Sequence, residues 1–229
     1  MFLLLNNSLG LNINSRRDIF TGLFHSPLLF NKNDVSKDFN LNYNLLDNKQ
    51  SNGIIKRNKN NIYFYSPVTQ VSCFELSRML LDIDTESKLF NCEFKIDAPP
   101  INLHIQSEGG SLLHALYVTD IIKKLDTPVY TYIDGFAASA ATLISIAGNK
   151  RYISENSLML IHQLSGSSEG KYNEIEDEMQ NFDNIMNIVI NLYLNNTNIN
   201  KNKLLEILKK DIWLDSETCL DYGLVDQIL

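Results

Sequence analysis

From about residue 60 the apolar residues change period repeatedly, and this constrains the fold more than any other feature of the chain. Ile62-Tyr63-Phe64-Tyr65 predicts a short strand ended by Ser66-Pro67. Phe74, Leu76, Met79, Leu80 and Ile83 follow at helical spacing. Asn102 to Gln106 alternates as a strand does and stops at Gly109-Gly110. Ser111 to Leu125 has the pattern of a helix with Ser111 as its N-cap, and Pro128 opens a strand over Val129 to Ile133. A helix of small residues is expected from near Ala137 to Ala147. Arg151-Tyr152-Ile153 and Leu158 to Ile161 read as strands. Helices are expected over roughly Tyr172 to Asn195, Lys201 to Lys209 and Ser216 to Tyr222. Strands separated by helices imply an α/β fold with buried strands and right-handed crossovers.

The first 59 residues differ. They are rich in Asn, as at Asn6-Asn7 and Asn58-Lys59-Asn60-Asn61, and lack a steady period. Such tracts bury too little apolar area to offset the entropy of ordering. The expected organisation is therefore a variable, partly disordered extension over 1–59 and a folded domain over 60–229. Phe20, Leu23, Phe24, Leu28, Leu29 and Phe30 form an apolar cluster within it, suited to a short docking helix or simply to packing on the domain.

A formal charge of -7 argues against nucleic acid, which needs a basic surface. No apolar run approaches the roughly 20 residues that span a bilayer, so no membrane partner is expected. Cys73, Cys92 and Cys219 are far apart and contain no CxxC pair, which gives metal and redox sites no support and favours a reducing compartment. The expected location is intracellular and soluble: cytoplasmic, with a plastid or mitochondrion as the alternative raised by Arg16-Arg17 in a Ser- and Asn-bearing N-terminus.

Four segments carry residues suited to chemistry. Ser139 lies in Gly135-Phe136-Ala137-Ala138-Ser139-Ala140-Ala141 at a strand-to-helix junction, where a helix start offers unpaired N–H groups to an oxyanion. Ser107-Glu108-Gly109-Gly110 follows a strand, and paired glycines let amides face an anion. His162 ends an apolar strand and has the side chain most often used as a serine's general base, with His25, His104 and His114 as competitors. Asp211 precedes Ile212-Trp213-Leu214, where a carboxylate could orient an imidazole. Singly, each has a plainer reading: tight helix packing, a turn, a structural histidine, an exposed cap.

Their order along the chain resembles the Clp protease proteolytic subunits. The resemblance runs through Ser107 to Gly110, Gly135 to Ser139, Leu160-Ile161-His162-Gln163, Asp211-Ile212-Trp213-Leu214-Asp215 and Tyr222-Gly223-Leu224-Val225-Asp226, over about residues 60 to 229. It implies a crotonase-like fold of stacked ββα units with a protruding handle, here Leu164 to Tyr172 and the helix after it. It implies a serine endopeptidase with Ser139 as nucleophile, His162 as base and Asp211 as the orienting carboxylate. The Gly110 and Ala140 amides stand at the oxyanion-hole positions. It further implies polypeptide substrates, a homo-oligomeric double heptameric ring enclosing the sites, an ATP-dependent AAA+ unfoldase as partner, and no cofactor or metal. Glu108 stands where the family has proline, Ala140-Ala141 where it has Met-Gly, and Leu164 where a proline follows His-Gln. The segment between Ser139 and His162 is about two residues shorter than the family's, and the family's axial-loop region is not recognisable before residue 60.

Two other readings compete. An inactive ring-building relative would typically lack a triad residue, and all three are present. An acyl-CoA hydratase or isomerase of the crotonase group would use paired amides and a glutamate such as Glu108, but has no need of an ordered Ser, His and Asp.

Overall fold

A computed structural model describes residues 53–229. His25 and the Phe20 to Phe30 cluster lie outside the described residues. The elements run β1 (Ile54–Asn58), β2 (Asn61–Tyr65), α1 (Gln70–Phe94), β3 (Ile101–Ser107), α2 (Leu112–Lys124), β4 (Val129–Ala138), α3 (Ala140–Ser145), β5 (Lys150–Ile153), β6 (Leu158–Leu160), α4 (Tyr172–Asn196), α5 (Lys201–Leu208), α6 (Ser216–Asp221) and β7 (Gln227–Ile228). The sheet order is β1-β2-β3-β4-β5-β7, with β6 joined to β4 off this path. The β1–β2 pair is antiparallel and all the others are parallel. This is the α/β architecture that the strand and helix periods imply, in the stacked arrangement expected from the resemblance.

β1 falls within the stretch that composition assigns to the extension. Ile54-Ile55-Lys56-Arg57-Asn58 is short, and only its in-register pairing with Asn61 to Tyr65 makes it a strand. Helix α1 is far longer than the apolar run from Phe74 to Ile83. It starts at a capping box, in which the Thr69 side chain accepts from the Ser72 amide and Ser72 accepts from the Thr69 amide, and ends at Lys95 with φ 55°.

One face of the sheet holds the core. Ile62, Phe64, Leu103, Ile105 and Ile133 are fully buried on it. The intervening residues leave the opposite face only partly covered. There Tyr63, His104, Tyr132 and Tyr152 stack across four strands, with successive ring centres 4.8 Å apart. The strands are thus half-buried, where parallel pairing alone predicts burial on both faces. The described part of the chain contains no helix long and apolar enough to cross a membrane.

β4 positions the site. It pairs with β5 through Tyr130 to Ile133, then with β6 through Phe136 to Ala138. The register against β3 slips over the same stretch, from Ile105–Ile133 to Ser107–Ala137, and Gly135 sits in the bulge at φ 88°. Ala137 and Ala138 are therefore strand residues, not the first turn of a helix as their small side chains suggest. Ladder bonds to β6 outweigh alanine's helix propensity, and the helix is confined to Ala140–Ser145.

Candidate active site

Ser139 stands where β4 turns into α3, and its amide donates to the Leu160 carbonyl at 2.8 Å. Its φ of 54° and ψ of −128° put it in a conformation that L-residues rarely adopt, at a cost of about 1–3 kcal/mol. The turn projects its side chain out from the strand end. His162 follows β6 by two residues, and the register Ala138–Leu160 sets it beside Ser139. Asp211 lies between α5 and a short antiparallel bridge, in which Met159 and Leu214 exchange bonds of 2.9 and 2.7 Å. The Gln163 amide donates to the Leu208 carbonyl at 2.7 Å, so both flanks of Asp211 are tied to the His162 strand.

The three side chains meet in line. His162 Nε2 lies 2.7 Å from Ser139 Oγ, and His162 Nδ1 lies 2.9 Å from Asp211 Oδ1. With Asp211 ionised, Nδ1 carries the proton and donates it to the carboxylate, leaving Nε2 free to accept from the serine hydroxyl. The other described histidines are engaged elsewhere. His104 Nδ1 bonds Asp134 at 2.8 Å on the half-covered sheet face, and His114 Nδ1 bonds Ser111 at 2.6 Å. Ser111 holds the N-cap position of α2, but its side chain makes no capping hydrogen bond.

The glycine turn packs directly on Ser139. Gly109 has φ 91°, and a Cβ there would come within 2.6 Å of the Ala138 carbonyl oxygen and 2.7 Å of Ser139 Cβ. Glycine is required on both counts. Gly110 and Ala140 flank Ser139, and their amide protons find no acceptor among the described residues. Gly110, Ser111, Leu112, Leu143, Val189 and Tyr193 line a cleft of about 230 Å³ that opens onto Ser139 and His162. Glu108 is exposed at the turn. The structure thus brings together Ser139, His162, Asp211, Gly110 and Ala140. Thr142, whose hydroxyl meets the Ser139 carbonyl, and Tyr193, whose hydroxyl meets Thr142, have in the sequence only the look of ordinary helix packing.

A hydroxyl, an imidazole and a carboxylate in hydrogen-bonding sequence, beside two free amides at the C-terminal ends of parallel strands, have the parts of a serine hydrolase. Comparison with known proteins narrows this class. The family model for Clp protease matches residues 60–229, and the chain belongs to that family, the serine endopeptidases of the Clp type. It is 29% identical over 172 residues to the ATP-dependent Clp protease proteolytic subunit 1 of Chlamydia pneumoniae, which spans 73% of this chain and 85% of that protein. It is 30% identical over 144 residues to the proteolytic subunit 2 of Treponema pallidum, spanning 62% of this chain and 72% of that protein. The fold matches a ClpP1 mutant from Listeria monocytogenes with a TM-score of 0.65, covering 82% of this chain and 95% of that one at 24% identity.

Proposed function

We propose that Ser139, His162 and Asp211 form the catalytic triad of this peptidase, with the Gly110 and Ala140 amides as its oxyanion hole. The observation that carries the reading is the single imidazole within 2.7 Å of the hydroxyl and 2.9 Å of the carboxylate. In acylation, Ser139 Oγ attacks the scissile carbonyl carbon as its proton passes to His162 Nε2. The carbonyl oxygen takes the negative charge and receives the two amide hydrogen bonds. His162 then returns the proton to the departing amine as the C–N bond breaks. Water, deprotonated by the same nitrogen, attacks the ester carbonyl, and the acid leaves as the acyl–Oγ bond breaks and His162 returns that proton to Ser139 Oγ. Asp211 fixes the tautomer and stabilises the imidazolium.

The substrates are unfolded polypeptides and peptides, cleaved in a chamber built from rings of subunits, with a separate ATP-dependent AAA+ unfoldase as partner. The names of the relatives, proteolytic subunits of an ATP-dependent protease, support this assembly. So does helix α4, which leaves Tyr172, Ile175 and Met179 exposed along one side of its N-terminal half in a single chain. Such an apolar stripe is suited to burial against another subunit.

A fluorophosphonate probe tests the chemistry. The expected result is covalent labelling at Ser139 in the assembled protein, mapped by mass spectrometry and abolished by Ser139→Ala. Unlabelled Ser139 in intact double rings seen by electron microscopy would instead establish a structural subunit.

A further inference from the structure

Tyr193 lies in the last turn of α4 and is 2% exposed. Its hydroxyl is 2.6 Å from the Oγ1 of Thr142, itself fully buried in α3. Thr142 Oγ1 in turn lies 2.5 Å from the carbonyl oxygen of Ser139. A carbonyl oxygen can only accept, so the threonine hydroxyl donates to it and takes the tyrosine proton on a lone pair. The direction of the chain is thereby fixed: Tyr193 to Thr142 to Ser139. The Thr142 amide donates to the same carbonyl at 3.0 Å, so two donors grip that oxygen.

The gripped carbonyl belongs to the peptide unit that also carries the Ala140 N–H. A trans peptide is planar, with C=O and N–H pointing in opposite directions. Holding the Ser139 oxygen toward Thr142 therefore aims the Ala140 proton the other way, and that proton has no acceptor among the described residues. The same unit follows a serine at φ 54° and ψ −128°, a backbone that would relax if nothing held it. A threonine bonding three residues back in a helix is ordinary. Here, though, the acceptor is the nucleophile's own carbonyl, and the threonine is itself loaded by a tyrosine from another helix.

We propose that Tyr193 is a positioning residue, acting through Thr142 on the Ser139 carbonyl to aim the Ala140 amide at the substrate oxyanion. The proposal rests on reading Ala140 as an oxyanion donor. Tyr193→Phe removes only the hydroxyl, and Thr142→Val replaces the hydroxyl by a methyl of like shape. In the full, assembled protein, each is expected to lower kcat for a fluorogenic peptide by about tenfold, less than the 10²–10³-fold lost when an oxyanion donor is deleted outright. KM should stay within about twofold, and fluorophosphonate labelling of Ser139 should slow in parallel with kcat. Because the two hydroxyls act in series, the double variant should be no slower than Thr142→Val alone. Thr142→Ser, which keeps the donor, should retain most of the wild-type kcat. A purely structural role lowers the melting temperature with kcat per assembled site unchanged, and that result in both single variants would overturn the proposal. Additive losses in the double variant would overturn it as well. If wild-type Ser139 takes no probe, the functional reading itself falls; if it takes the probe and the variants match its rate, only this inference falls.

Discussion

His162 Nδ1 lies 2.9 Å from Oδ1 of Asp211, a side chain that keeps 80% of its surface exposed in the single chain. Water competes for that carboxylate, and its hold on the imidazole depends on the backbone ties at Gln163 and Leu214 more than on enclosure. Exposure does not change which proton it favours, because a carboxylate selects the tautomer with hydrogen on Nδ1 and an amide nitrogen would select the other.

Asp211→Asn should therefore lower kcat/KM for a fluorogenic peptide by about 10²–10⁴-fold, the upper figure being that of an enclosed serine-protease triad. The melting temperature should hardly move, since an exposed ion pair adds about 0–1 kcal/mol. Activity within threefold of wild type would remove Asp211 from the triad.

The backbone of Ser139 makes a stability prediction that runs against activity. Ser139→Gly relieves about 1–3 kcal/mol of strain and gives back up to about 1 kcal/mol through the freer unfolded chain. The net gain of about 1 kcal/mol should raise the melting temperature by about 2–4 °C, while peptide cleavage disappears. Ser139→Ala keeps the Cβ and should show no such gain. Calorimetry of the two variants in the same assembly state checks this, and a glycine variant melting below the alanine variant would contradict the strain.

Asp84 on α1 is buried, accepts the Thr127 amide at 2.8 Å and meets Lys88 Nζ at 2.7 Å. Burial pushes its carboxyl up, but the Lys88 and Thr127 hydrogen bonds outweigh this and hold it below the ordinary value of 3.8. A carboxyl depressed by folding adds stability above its unfolded pKa, and the contribution is lost as pH falls through the folded value. Asp84→Asn should accordingly cost about 1–3 kcal/mol at pH 7, with the deficit shrinking as pH drops from 4 toward 3. Urea titrations across that range give the comparison; a deficit independent of pH would rule out the ionised form as its source.

The site was legible as a set of residues, and less so as a geometry. Ser139, His162 and Asp211 could be picked out because a serine among alanines, a histidine at a strand end and an aspartate before Ile-Trp-Leu recur in one order. Thr142 and Tyr193 could not. A threonine in a short helix and a tyrosine 51 residues on carry no joint signal until α3 and α4 pack. The helix expected from Ala137 failed for a related reason. Alanine favours helix locally, but β6 supplies partners for Ala137 and Ala138 that only the folded sheet brings near.

The sequence by itself determined the succession of strands and helices from residue 60 to Tyr222, the glycine turn and the residue types of the proposed triad. Each is written in local periodicity, in backbone freedom or in side-chain chemistry. Tertiary structure alone decided that β4 would change partners at Gly135, that Ser139 would be held at positive φ, and that one imidazole of the three described would face it. Those outcomes depend on pairings between segments distant in the chain, where sheet register and buried hydrogen bonds override the preferences of any single residue.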